Sequence, residues 1–88
     1  MKLNSEFLLR RVVDSAVLVP FGKKMVDFNG MLSLNKVGAF VAELLQEETT
    51  LEKIVDAVVE RFAVDKETAE KDVRVFLDQL RQNGALDE

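Results

Sequence analysis

The chain of 88 residues contains no cysteine, histidine, tryptophan or tyrosine, and only one proline. Without Cys or His there is no zinc site of the usual ligand set, no iron–sulfur ligation, no disulfide framework, and no Ser-His or Cys-His catalysis. Carboxylates remain as the one source of acid–base chemistry. No run of apolar residues approaches the roughly 18 that suggest a membrane span. The opening Met1-Lys2-Leu3-Asn4-Ser5-Glu6 turns acidic where a secretory signal needs an apolar core. The expectation is a cytoplasmic protein with no membrane partner, no metal and no cofactor.

What is present is the composition of one globular domain spanning residues 1–88, with 48% hydrophobic and 32% charged residues. A domain this small hides only about 60% of its unfolded surface, which leaves a homodimer open as a way to bury more. Charge divides along the chain. Residues 1–36 carry six basic residues against Glu6, Asp14 and Asp27, a net of +3, whereas residues 37–88 carry six basic and 13 acidic residues, a net of −7. Nucleic-acid binding needs a basic face to displace counterions from phosphates, and the acidic half offers none.

The first third reads as strands. Phe7 to Val13 and Ala16 to Val19 are rich in Val and Leu, and the polar pair Asp14-Ser15 between them suits a two-residue hairpin. Pro20 and Gly22 end the second strand near Phe21, with Lys23-Lys24 in solvent. Met25 to Phe28, Asn29-Gly30 and Met31 to Leu34 then read as strand, type I′ turn and strand. From Asn35 the period becomes helical. Asn35 caps a helix over about Lys36 to Gln46, with Val37, Phe40, Val41, Leu44 and Leu45 on one stripe. Thr49 and Glu52 form a capping box for a second helix over about Thr50 to Phe62. Asp65 caps a third over about Lys66 to Asn83, with Ala69, Val73, Phe76, Leu77 and Leu80 buried and Gly84 at C′. About three antiparallel strands followed by three helices make an α+β fold of the winged helix-turn-helix kind.

That fold suggests DNA recognition by the last helix, yet Lys66, Lys71, Arg74 and Arg81 there are cancelled by Glu67, Glu70, Asp72 and Asp78. Asp14-Ser15 has the composition of a phosphopantetheine attachment pair, but it lies between strands and is followed by Ala16, so a turn explains it better. Carboxylate pairs such as Asp72 with Asp78, or Asp27 with Glu43, are brought together by no feature of the sequence, and solvated helix faces account for them. Val75 is the exception on the third helix. It projects roughly 140° from the centre of the buried stripe, among Thr68, Asp72, Gln79 and Gln82. An isolated exposed valine is unremarkable. Alternatively, it lines a groove beside a sheet edge that can take up an extended peptide.

Val17-Leu18-Val19-Pro20, Asp27-Phe28-Asn29-Gly30, Leu34-Asn35, Gly38-Ala39-Phe40, Glu43-Leu44-Leu45, Ile54-Val55 and Asp72-Val73…Phe76-Leu77…Leu80…Gly84 together resemble the PqqD-like family. These are coenzyme PQQ synthesis protein D and related recognition elements for ribosomally made, later modified peptides. The resemblance runs from about Phe7 to Leu86. It implies a protein without enzymatic activity that binds the leader of a precursor peptide and presents it to a modifying enzyme, commonly a radical SAM protein. In that family the leader adds as a strand to the third strand of the sheet and packs on the last helix. Carried over, the docking strand is Met31, Leu32, Ser33 and Leu34, with Val26-Asp27-Phe28 as the alternative. The helix face is Asp72, Val75, Phe76 and Gln79, with apolar pockets bordered by Leu32 or Met31 together with Val75 and Phe76. One departure is Lys36, where the family often has an acid after the Leu-Asn pair; a cation at a helix start is the weaker choice. A DNA-binding regulator and a structural dimerisation module, formed by swapping the N-terminal strands, are the competing readings.

Overall fold

A computed structural model describes residues 1–13, 15–23 and 31–88. The elements follow as β1 (Lys2–Leu3), β2 (Phe7–Val12), β3 (Ser15–Pro20), β4 (Leu32–Leu34), α1 (Lys36–Leu44), α2 (Leu51–Phe62), α3 (Lys66–Gln82) and β5 (Leu86–Asp87). An antiparallel sheet in the order β2-β3-β4 is covered on one face by helices, which is the α+β winged-helix arrangement that the sequence suggests. The expected strand at Met25 to Phe28 and the Asn29-Gly30 turn lie outside the described residues.

Period-2 alternation sets the sheet's faces. Phe7, Ala16, Leu18 and Leu34 are buried, and Leu18 stands opposite both Leu9 and Leu32 in the ladders. The hairpin differs from the polar turn expected at Asp14-Ser15. Ser15 pairs with Val12 and so begins β3, while Val13 takes the left-handed conformation at φ 41. Register shows the difference: a turn at Asp14-Ser15 would set Leu18 opposite Arg11, whereas the observed ladder sets it opposite Leu9 and Phe7 opposite Pro20, which places Ser15 inside the strand.

Helix α1 starts at Asn35, whose Oδ1 accepts from the Gly38 amide at 2.7 Å. Its buried residues are Gly38, Ala39, Val41 and Ala42, whereas Val37, Phe40 and Leu44 of the expected stripe are half-buried. The helix packs against β3, β4, α2 and α3 at once, so its inner side is filled by small residues that let neighbours approach. It also ends at Leu44, short of Gln46. Helix α2 is capped by Thr50, whose hydroxyl accepts from Lys53 N, and not by Thr49, whose amide donates to Met1 O. Asp65 caps α3 as expected, through Thr68 N at 2.7 Å. All five stripe residues of α3 are buried. Beyond the Asn83 cap, Gly84 adopts φ 68, with Gly84 N bonded to Arg81 O and Ala85 N to Leu80 O, the paired bonds of a Schellman motif.

That turn aims the chain at β5, which pairs Lys2 with Asp87 and Leu3 with Leu86. These two-residue strands join a core built around Leu18, Leu45, Ile54, Leu77 and Leu80, each fully buried and worth about 1.5–3 kcal/mol relative to exposure. Among the described residues, no helix is long and apolar enough to cross a membrane.

Candidate functional site

The three-stranded sheet has two edges, and they differ in character. β2 carries Arg10 and Arg11, the type of residue that discourages a further strand from pairing. β4 begins at Leu32, one residue later than the strand expected from Met31, and neither Met31 nor Leu32 to Leu34 carries a charge. β4 is bonded to β3 on one side, through Ala16–Leu34, Val17–Ser33 and Leu18–Leu32, and among the described residues its other side has no strand. Leu34 is buried and Leu32 half-buried against the core, because they stand opposite Ala16 and Leu18. Ser33 and Met31 are exposed, Met31 by 60%.

Beside this edge lies a cleft of about 260 Å³ between α1 and α3. Asp72, Val75, Phe76 and Gln79 form its α3 wall, at the i, i+3, i+4, i+7 spacing of one helical face. The four helix residues singled out in the sequence are thus brought together. Phe76 is the buried floor, Val75 is 63% exposed, and Asp72 and Gln79 are exposed on either side. The opposite wall is Asn35, Val37 and Gly38, the first turn of α1 with its cap. Met31 and Leu32 do not line this cleft; Leu32 is directed at the core by its pairing with Leu18. What β4 offers at its free side is therefore backbone.

Gly38 is what lets Phe76 reach this position. A Cβ there would stand 3.1 Å from Phe76 Cε1 and 3.2 Å from Asn35 Oδ1, tighter than side chains normally pack. Sequence reasoning did not single out Val37, Gly38 or Lys71 as lining residues, since the crossing of α1 over α3 that creates the wall leaves no local pattern.

The cleft is electrically balanced, with Lys71 and Asp72 cancelling each other. Its volume is below the roughly 300–1,000 Å³ of small-molecule sites and is suited to individual side chains of a polypeptide. Elsewhere the carboxylates are committed to structure or solvent. Glu43 is ion-paired with Arg11, and Asp78 with Arg81 at 2.7 Å. Arg81 also accepts the role of partner to Glu88, donating a hydrogen bond that lowers the Glu88 carboxyl below its ordinary value. The Asp65 carboxyl is lowered by the Thr68 amide that it caps. Among the described residues no group of three acidic side chains gathers as a metal site would require. Of the carboxylate pairs considered, Asp27 lies outside the described residues.

No curated protein matches the chain. A solved structure of a lasso peptide synthetase B1 complexed with the leader peptide shares the fold, at a TM-score of 0.75 over 96% of this chain and 93% of that one, with 19% identity. TbiB1, solved in complex with the TbiA(beta) leader peptide, superposes at a TM-score of 0.81 and is 30% identical, covering 99% of this chain and 95% of its own. The family described as coenzyme PQQ synthesis protein D (PqqD) matches residues 16–86. That match takes in β3 from Ala16 on, β4 and all three helices, so both walls of the cleft and the strand beside it fall within the shared pattern, and the chain belongs to the PqqD family.

Proposed function

We propose that this protein is a peptide-binding adaptor, which takes the leader of a ribosomally synthesised precursor as an added strand on β4 and presents it to a modifying enzyme. The observation that carries this reading is the uncharged edge at Leu32–Leu34, which among the described residues has no strand on its far side and is set beside the Asp72, Val75, Phe76 and Gln79 face of α3. A relative 30% identical over nearly the whole chain is described in complex with a leader peptide, which supports the same role here.

The mechanism follows from strand addition. Backbone N–H and C=O groups along the free side of β4 pair with the peptide's own, giving affinity that tolerates many sequences. Side chains of the added strand alternate, and those on the helix-covered face descend toward the cleft. Phe76 and Val75 receive an apolar side chain there, Val37 closes the far wall, and Asp72 and Gln79 hydrogen-bond polar neighbours. In this reading the protein contributes binding and orientation, and chemistry is left to the partner, a radical SAM protein or another modifying enzyme. The engagement of Glu43 and Asp78 with arginines, in a chain without His or Cys, is consistent with that division.

Two-dimensional NMR tests it, with the TbiA(beta) leader as the first probe and the leader of any precursor encoded beside this chain as the second. The expected result is amide shifts concentrated at residues 31–34 and 72–79. If the second probe leaves both segments unmoved, the docking model is wrong.

A further inference from the structure

A larger cleft, of about 600 Å³, lies on a different face of α1. Val37 and Gly38 face the peptide cleft, whereas Lys36, Ala39, Phe40 and Glu43 face this one, as 100° per residue requires. Its other walls are the β2–β3 hairpin, with Arg11 and Val13, and the end of α2, with Arg61 and Phe62. Asn35 borders both clefts.

Two properties distinguish it from an ordinary surface depression. One is an apolar, aromatic floor. The Phe40 and Phe62 rings meet edge to face at 5.6 Å, the Arg61 guanidinium sits 5.9 Å over Phe62, and Val13 stands at the rim 98% exposed. A β-branched residue held at φ 41 in full solvent costs strain and contributes nothing to the core. The other is charge. Among the described residues Arg11, Lys36 and Arg61 face one acid, Glu43, which Arg11 already neutralises, and Lys36 and Arg61 have no carboxylate partner there. The described lining residues of this cleft sum to +2 on a chain of net −4, whereas those of the peptide cleft are neutral.

Aromatics and arginines around a desolvatable centre are the composition of an interface core. From the floor and the charge together we infer that this cleft docks an acidic, apolar-tipped segment on the surface of the modifying enzyme. The inference rests on the adaptor reading. The helical half, at −7, repels an acidic partner elsewhere, and a partner drawn to Lys36 and Arg61 is delivered to the place where the two clefts meet at Asn35. Val13, Phe40 and Phe62 then receive its apolar side chain. Presentation is explained by this adjacency: enzyme and peptide occupy neighbouring sites on opposite faces of one helical turn.

The first arm of the test uses a short synthetic peptide alternating aspartate with phenylalanine, and its asparagine analogue, titrated by NMR. The acidic peptide should shift Val13, Lys36, Arg61 and Phe62, leave residues 72–79 in place, and weaken with salt. Lys36→Gln and Arg61→Gln should each weaken it by about threefold. Equal binding of the two peptides, no binding, or shifts confined to residues 72–79 would each overturn the charge assignment. The second arm reconstitutes precursor modification with the enzyme encoded beside this chain. Arg61→Glu should lower the modification rate while leader affinity stays at the wild-type value. If leader affinity falls instead, or if neither changes, the cleft does not serve the enzyme. Failure of the adaptor reading is separable, because it appears as absent leader shifts at residues 31–34 and 72–79 in the wild-type protein.

Discussion

Gly38 on α1 and Phe76 on α3 meet so closely that a Cβ added to Gly38 would stand 3.1 Å from the Phe76 ring. The ring is held from below by the core and from the side by a helix with no side chain at that point. Floor and wall of the cleft proposed for the peptide are thus set by a single contact between two elements.

Gly38→Ala should separate binding from stability. Alanine is favoured over glycine within a helix by up to about 1 kcal/mol, which offsets the displacement of Phe76. The new methyl group also crowds Asn35 Oδ1 at 3.2 Å. Urea denaturation should show a change within about 1 kcal/mol, while calorimetry with a leader peptide shows affinity falling about tenfold, or ~1.4 kcal/mol. Unchanged affinity would mean that the cleft is not where the peptide side chain sits.

Val75→Asp is the complementary substitution. Val75 is 63% exposed, so the folded state should change by about 0.5 kcal/mol or less, part of it from the new charge three residues from Asp72. Binding should suffer more. An anchor lost from a desolvated contact costs more than about 1 kcal/mol, and fluorescence anisotropy of a labelled leader should show affinity reduced at least about fivefold. A matching change on the outer face of α2, Asp56→Ala, should leave anisotropy unaltered.

Phe76 has both roles, and its two substitutions distinguish them. Phe76→Ala removes a buried ring and should cost about 3–5 kcal/mol, a large share of the stability of a domain held by roughly 0.05–0.15 kcal/mol per residue. Phe76→Leu retains most of the apolar volume. Its thermal unfolding should remain cooperative while leader affinity drops, because the floor becomes shorter without being lost.

The sequence made α3 legible in full, because seventeen residues give several turns over which the 3.6-residue period repeats and a cap that obeys local rules. Val75 stood out for the same reason, as a departure from a clear stripe. β1 and β5 were invisible, since two-residue strands have no period and exist only through each other. The Asp14-Ser15 turn was misplaced because polar residues favour turns without fixing which pair occupies one, and the core register of β3 claimed Ser15. For the candidate site, one wall could be found from the pattern of a single helix. The wall of Asn35, Val37 and Gly38, and the cleft joining Arg11, Lys36 and Arg61, depend on tertiary crossings that no local spacing encodes.

No histidine contributes to the pH dependence of stability between about pH 6 and 8. The acid limb has identifiable sources. The Thr68 backbone N–H, donating to Asp65, lowers that carboxyl from its ordinary 3.8, and the Arg81 hydrogen bond lowers Glu88 from 4.5. A depressed folded value means that the unfolded chain binds protons first as pH falls, so the stabilisation is complete above about pH 4.5 and disappears as pH drops through and below 3.8. Asp65→Asn keeps an oxygen to accept from Thr68 N but cannot titrate. Urea midpoints measured at pH 7 and pH 3 should therefore fall less for Asp65→Asn than for the wild type, and an equal fall in both would show that the α3 cap does not set the acid limb.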